Sequence, residues 1–391
     1  MTALAGSNTL TGLIPVIYEA MDVIPRELLG AIGAVQLDSS ASKAGLNQVI
    51  RSPIVPVGGL VDIVPGVTNT NAVAQTIGTA DLTISKSKAY SFVWAGEEQL
   101  QLNATGDFNA ILANQFRQAF RVLGNAMEAD IVNASALNGS RASGTAGTTP
   151  FSTALDLSSA ANSVKCLDDN GAPQSDRSII LGTTAAAKIR GIQSSLFKVN
   201  ESGTDALLRN GVIGQIEGFD VRTSGQIKAG QGQNNVAVGT GAGYVISGGT
   251  TTLGQTSITV GTGAGTILAG DIVTIGANQY VVQVGIAAPG TFTISAPGMM
   301  ETLANGTAVT VQAASLKNVW LQKAGFLLAT RLPAMPIGGD SASDLTIVTD
   351  PISGLSFQVA MYKQYRQVTF EIAIAWGTKV LRPEYVGVLL G

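Results

Sequence analysis

The 391-residue chain has no histidine and one cysteine, Cys166. Without an imidazole, no Ser-His-Asp or Cys-His relay can move a proton near neutral pH. One cysteine and no histidine also exclude, within one chain, a four-ligand structural zinc, a catalytic zinc on three histidines and a disulfide. Cys166 is expected to serve as a half-buried small hydrophobe. No run approaches the ~18 consecutive apolar residues of a membrane span. The opening MTALAGSNTLTGLIPVIYEAM has no basic region ahead of an apolar core, so no signal peptide is expected. A chain made and kept in a cytoplasm is the expectation.

Charge is scarce too. The 23 basic and 26 acidic residues make up 13 % of the chain, about half the usual share. A compact monomer of 39.9 kDa exposes roughly 14,000 Å², about one charge per 290 Å² here. Much of that surface is therefore expected to meet protein. The net charge of −3 argues against a broad basic face gripping nucleic acid. What the chain does have is 47 glycines and 45 % hydrophobic residues, enough of the latter to fold a core.

No catalytic set survives. Gly239-Thr-Gly241-Ala-Gly243 is followed by another strand pattern, not the helix a dinucleotide fingerprint requires, and reads as a turn. A Walker A loop is impossible because no Gly-Lys dipeptide occurs. Asp168-Asp169 and Glu97-Glu98 read as solvated pairs, and the run Asp168-Asp169-Asn170-Gly171 lacks the glutamate that a calcium loop needs at its end.

Along the chain, a helix is expected over residues 13–29, with Pro15 in its first turn and Pro25 ending it. Residues 46–80, broken by Pro53, Pro56, Pro65 and several glycines, read as a long extended loop. From Asp81 the period is 2: Leu82, Ile84, Lys86, Lys88, Tyr90, Phe92 and Trp94 share a face of one long strand. Two lysines in mid-face favour a strand projecting from the body. Leu112, Phe116, Phe120, Leu123, Met127 and Ile131 stripe a helix over 107–137, with Asp107 as N-cap. Residues 138–150 read as a surface linker. Next come a helix to about 167, a strand over 178–181 and a helix from 183. Between Lys228 and Lys317 the only charges are Asp271 and Glu301. Short β-branched runs recur there, and the hexapeptide VGTGAG appears at both 238–243 and 260–265, indicating a small barrel or sandwich inserted into a host whose pattern resumes afterwards. Residues 357–376 alternate as a hairpin turning near 363–366.

Several segments carry a resemblance: LDDNGAP at 167–173, RSIILGTTAAAKIR at 177–190, KVNESGTD at 198–205, GFDVR at 218–222, and the end pattern Trp376-Gly377, Arg382-Pro383-Glu384, Gly387. With the order of parts, these resemble the major capsid (coat) proteins of tailed bacteriophages, in the short-tailed (podovirus) subgroup whose coat carries an inserted β-barrel domain. The resemblance implies an α+β fold of the tailed-phage and herpesvirus capsid type. It assigns an N-terminal arm to 1–45, an extended β loop to 46–100, and a peripheral domain with a spine helix to 101–150 and 341–391. An axial domain takes 151–227 and 319–340, and the inserted barrel takes 228–318. It implies a non-enzymatic shell protein without cofactor or metal, forming hexameric and pentameric capsomers with a portal protein around double-stranded DNA that it confines without sequence-specific binding. The location implied is the virion capsid, assembled in the host cytoplasm, with no membrane partner. Phe116, Phe120, Trp376, Arg382, Pro383 and Glu384 are the structural and assembly candidates. Two departures stand out: the insertion is nearly uncharged, and the long acidic N-terminal helix some relatives use as a built-in scaffold is missing, so a separate scaffolding protein is expected. The rival reading is another self-assembling structural protein, a tail, fibre or surface-layer component. A third is a glycosidase working with two carboxylates alone.

Overall fold

The computed structural model describes residues 10–21, 30–54, 77–105, 108–192, 214–227, 238–351 and 353–391. Helix α1 (Leu10–Met21) starts earlier than the pattern suggested, with Pro15 in its interior and not in its first turn; residues 22–29 lie outside the described residues. Pro25 lies outside the described residues, as do Asp107 and most of the 46–80 loop. Strand β1 (Gln36–Ala44) follows, then β2 (Val49–Ile54) and β3 (Gly78–Thr83), which among the described residues pair only with each other, as an antiparallel ribbon from Val49↔Thr83 to Ile54↔Gly78.

The single long strand expected from Asp81 is two strands. Ile84 exchanges hydrogen bonds with Asn47 and Gln48 at 2.9 Å, which closes the ribbon, and β4 (Lys86–Ala95) then joins a different sheet. Nor does β4 project from the body. It pairs with a C-terminal strand along its whole length, and the Lys86 ammonium that argued for projection lies 2.5 Å from Asp130.

Helix α2 (Gly96–Thr105), absent from the apolar pattern, leads into α3 (Phe108–Asn138). At 1.5 Å per residue, α3 is a beam of roughly 46 Å. The expected surface linker after it contains β5 (Arg141–Ser143), all three residues buried. Then come α4 (Ser158–Asp169), β6 (Arg177–Leu181), α5 (Thr183–Ile192), β7 (Gln215–Ile216) and β8 (Phe219–Thr223).

The charge-poor segment supplies β9 (Tyr244–Ile246), β10 (Ser257–Gly261), β11 (Ile272–Ile275), β12 (Asn278–Val284), β13 (Gly290–Ile294) and β14 (Ala308–Val311). Their order β11-β14-β9-β10-β13-β12 returns to β11, a closed six-stranded barrel that leaves no free edge among its own strands. Ile246, Ile258, Val273, Tyr280, Phe292 and Val309 fill it. The two VGTGAG copies pair with each other. Ala242 and Ala264, equivalent residues, form an antiparallel bridge, while Gly241 N–H donates to Thr266 O at 2.8 Å. A side chain on Gly263 or Gly265 would run into the opposite copy, so closeness, not a phosphate, explains these glycines.

The barrel is joined to the rest by hydrogen bonds as well as by chain. β12 also pairs with β5 (Gln279↔Ala142, Tyr280↔Arg141), and the sheet continues through β20 (Val386–Leu390), β15 (Lys317–Gln322), β6, β8 and β7. The second sheet contains β16 (Phe326–Pro333), β17 (Asp344–Thr349), β18 (Ser356–Gln364) and β19 (Gln367–Val380). The hairpin β18–β19 turns at Tyr365-Arg366, with Arg366 at φ +57°. The far side of β19 carries β4 along residues 367–376 and β16 along 375–380, with β1 parallel to β16 outside it. The fold is α+β: two sheets and α1 close on the long helix α3, and a barrel extends one of the sheets.

Candidate functional site

The stripe on α3 meets the six-stranded sheet. Leu112, Phe116, Phe120, Leu123, Met127 and Ile131 are all buried. Phe116 stands edge-on to Phe92 and Phe370 at 5.3 and 5.8 Å, and Phe120 meets Phe357 at 5.0 Å, each such pair adding ~0.5–1.5 kcal/mol beyond burial. Phe116, Phe120 and Trp376 thus belong to one core, whereas Arg382, Pro383 and Glu384 occupy a short 3-10 turn (Pro383–Tyr385) elsewhere. The candidates fall into two places.

In the first place, polar side chains that the sequence reading passed over tie segments to α3. Asp130 takes the Lys86 ammonium at 2.5 Å on one oxygen and the Trp376 indole N–H at 2.8 Å on the other, joining α3 to β4 and β19. Glu128, only 3 % exposed, accepts from Gly30 N–H at 2.8 Å, Ala31 N–H at 3.1 Å and the Ser224 hydroxyl at 2.9 Å. Burial pushes its pKa above the ordinary glutamate value, and these hydrogen bonds pull the other way. The chain approaches so closely here that a side chain on Gly30 would overlap the Thr223 carbonyl. One signal was available: Gly124, Glu128 and Ser135 stand at helical spacing beside the apolar stripe.

In the second place, Pro383 opens the 3-10 turn, where its missing N–H costs nothing. Arg382 lies 3.9 Å from Glu384 and stacks 5.4 Å from the Tyr385 ring centre, while Glu384 O accepts from Asn170 at 2.8 Å. Gly387 of the same pattern has a packing reason, since any side chain there would enter the Trp320 indole.

Asp168 and Asp169 keep much of their side chains in solvent, 47 and 33 % exposed, and are also paired with cations. Arg177, its side chain 4 % exposed, donates to Asp168 at 2.7 Å, and Arg141, equally buried, donates to Asp169 at 3.1 Å, with Lys165 at 2.9 Å. These bonds hold the Asp169 carboxyl below its ordinary value against the opposing effect of desolvation. Glu98 caps its own helix by accepting from Ala95 N–H at 3.0 Å. Cys166 is buried in α4, and desolvation raises its pKa above that of a free thiol. Among the described residues no three His, Cys, Asp or Glu side chains gather as metal ligands.

Several large apolar side chains also face outward. At the ribbon, Leu46, Val49 and Ile77 are 58, 50 and 66 % exposed. The ribbon docks by one face only, through buried Leu82 and Ile84 against Leu327, Ala329 and Ala375. At the other end of the six-stranded sheet, Tyr365 on the hairpin turn is 90 % exposed and Leu100 on α2 is 74 % exposed.

No family model matches the chain, and no curated protein is similar to it. Solved structures are similar to it at low identity. A structure of Mycobacterium phage Che8 shares 15 % identity over 88 % of this chain and 85 % of its own, with a TM-score of 0.43. The capsid structure of cyanophage P-SCSP1u shares 11 % over 91 % and 86 %, TM-score 0.45. A virus-like particle from Pyrococcus furiosus shares 10 % over 96 % and 98 %, TM-score 0.44.

Proposed function

We propose that this chain is the major capsid protein of a tailed phage, a coat subunit that associates with copies of itself into an icosahedral shell around double-stranded DNA. The observation that carries the reading is the ribbon β2–β3. It pairs with no other strand among the described residues, is anchored at its base, and turns Val49 and Ile77 outward. Such a ribbon gains little within one subunit, but each 100 Å² of apolar surface it buries on a neighbour contributes about 2.5 kcal/mol. Charge scarcity fits the same reading, because a lateral contact repeated hundreds of times is better made without desolvating ions. A wall of mild negative charge confines DNA, whereas a strongly basic wall would hold it by counterion release.

The domain limits given above, the short-tailed subgroup, hexameric and pentameric capsomers, a separate scaffolding protein, a portal vertex and assembly in the host cytoplasm belong to this reading. So does an assembly role for Phe116, Phe120, Trp376, Arg382, Pro383 and Glu384, which act by keeping the subunit rigid.

The test replaces residues 55–77 by an Asn-Gly turn, a two-residue link that closes the ribbon at the Ile54↔Gly78 pair. Parent and variant are purified and viewed by negative-stain microscopy, alone and with scaffolding protein. The expected result is closed isometric shells from the parent, and from the variant a folded subunit that forms none. Tubes or flat sheets from the parent would favour a tail or surface-layer component, and stable shells from the variant would remove the ribbon from the argument.

A further inference from the structure

One built cleft lies outside the core seams, where the barrel meets α4. It has a volume of about 510 Å³, and Arg141, Ser143, Asn162, Lys165, Asn278 and Gln279 are among its walls. The Arg141 side chain is 4 % exposed. Its terminal nitrogens are engaged, one donating to Asp169 at 3.1 Å and the other to Asn278 Oδ1 at 2.5 Å, but its Nε is buried without a hydrogen-bond partner. Gln279 donates through Nε2 to Gly144 O at 3.1 Å, while its Oε1 is likewise buried and unpartnered. The cleft therefore holds one unsatisfied cationic N–H and one unsatisfied carbonyl on the neighbouring strands β5 and β12.

Lys165, 65 % exposed, adds a second cation among the walls. Against Arg141 and Lys165 stands Asp169 alone, leaving one net positive charge. Glu301, the other nearby carboxylate, is engaged by Ala277 N–H at 2.8 Å and Asn278 Nδ2 at 2.9 Å and is not part of the cleft wall. A ligand meeting both orphaned groups must bring an anionic acceptor and a hydrogen-bond donor together.

We propose that this cleft is a docking site for a carboxylate-bearing peptide segment of a partner protein. The partner's carboxylate pairs with Arg141 Nε and the Lys165 ammonium, and an amide N–H of the same segment donates to Gln279 Oε1. The inference does not depend on the shell reading, since it concerns the subunit alone.

The probe is N-acetyl-glutamate N-methylamide, titrated into the full chain with thermal melting and calorimetry as readouts. Saturable binding is expected, at least tenfold tighter than for the glutamine counterpart. Lys165→Ala, an exposed change that leaves the fold intact, weakens it at least threefold. Gln279→Glu, which sets a like charge against the ligand, abolishes it. Failure of the capped glutamate to bind at tens of millimolar would mean that water alone occupies the cleft. Equal binding of the glutamine analogue, equal binding of inorganic phosphate, or full affinity in Lys165→Ala would each overturn the assignment to an acidic peptide.

Discussion

Glu128 and Lys317 show what ionisable groups cost inside a chain that carries few of them. Glu128 holds the turn at Gly30 and Ala31 to α3. Its folded-state pKa is raised, so the folded state holds more protons than the unfolded one just above the ordinary glutamate range. Stability from this group is complete at low pH and falls as pH rises through the folded value. Glu128→Gln keeps the two backbone N–H bonds on its carbonyl oxygen without the charge, its amide NH2 now donating to the Ser224 hydroxyl. It should melt within about 1 kcal/mol of the parent at pH 7 and lose that acid-side slope, while Glu128→Ala strands two buried N–H groups and costs ~2–4 kcal/mol. Lys317 has the opposite sign. Buried at the return from barrel to host, it donates to Gly270 O at 2.7 Å, yet desolvation, only partly offset by Asp271, lowers its pKa from 10.5 to about 8. Between those values the unfolded chain is protonated and the folded one is not, so stability rises with pH. Denaturant titrations between pH 7.5 and 10.5 should show this gain, on the order of 3 kcal/mol at most, in the parent and not in Lys317→Met. A gain of equal size in the variant would place the titration elsewhere.

Among the elements, α3 and the hairpin β18–β19 were legible because each carries one uninterrupted period and a clear end. The break at Ile84 was not. Leu82 and Trp94 stay in phase across it, so a chain that leaves one sheet for another shows the same alternation as a single strand. Helix α2, with Glu97 and Glu98 in its first turn, has no apolar stripe to announce it. β5 hid among glycines and serines because its burial comes from neighbours far along the chain: it pairs with β20 on one side and with β12 on the other. The candidate cleft was hidden for the same reason, since Arg141 and Gln279 are 138 positions apart. The readable part of α3 makes a paired prediction. Leu112→Asp, at a position 1 % exposed, puts an unpaired charge into the seam and should cost several kcal/mol, leaving no cooperative melt. Val122→Asp on the same helix, at 39 % exposure, should change stability by less than about 1 kcal/mol. Equal outcomes would mean that the seam does not hold the two sheets together.

At the scale of the whole molecule, the question is whether the barrel is an independent appendage. Composition suggests that it is, since charge all but vanishes at its borders and its own core is complete. The hydrogen bonds say otherwise. β12 occupies one edge of β5, Gln283 donates to Leu137 O at 3.3 Å, and Ser295 donates to Gly139 O at 2.8 Å. Asn278 in turn receives one end of the buried Arg141 guanidinium. Replacing residues 238–316 with a short Gly-Ser linker would thus uncover the C-terminal end of α3, open an edge of the host sheet and remove a partner from a buried cation. Such losses cost roughly 1–3 kcal/mol each, against a total domain stability of ~5–15 kcal/mol. The excised host should therefore be lost to aggregation or melt without cooperativity. The barrel expressed alone, closed on itself, should remain folded with the dispersed amide spectrum of a β protein. A soluble, cooperatively melting host after excision would show that the β12–β5 seam contributes little, and that the barrel is attached by its connections alone.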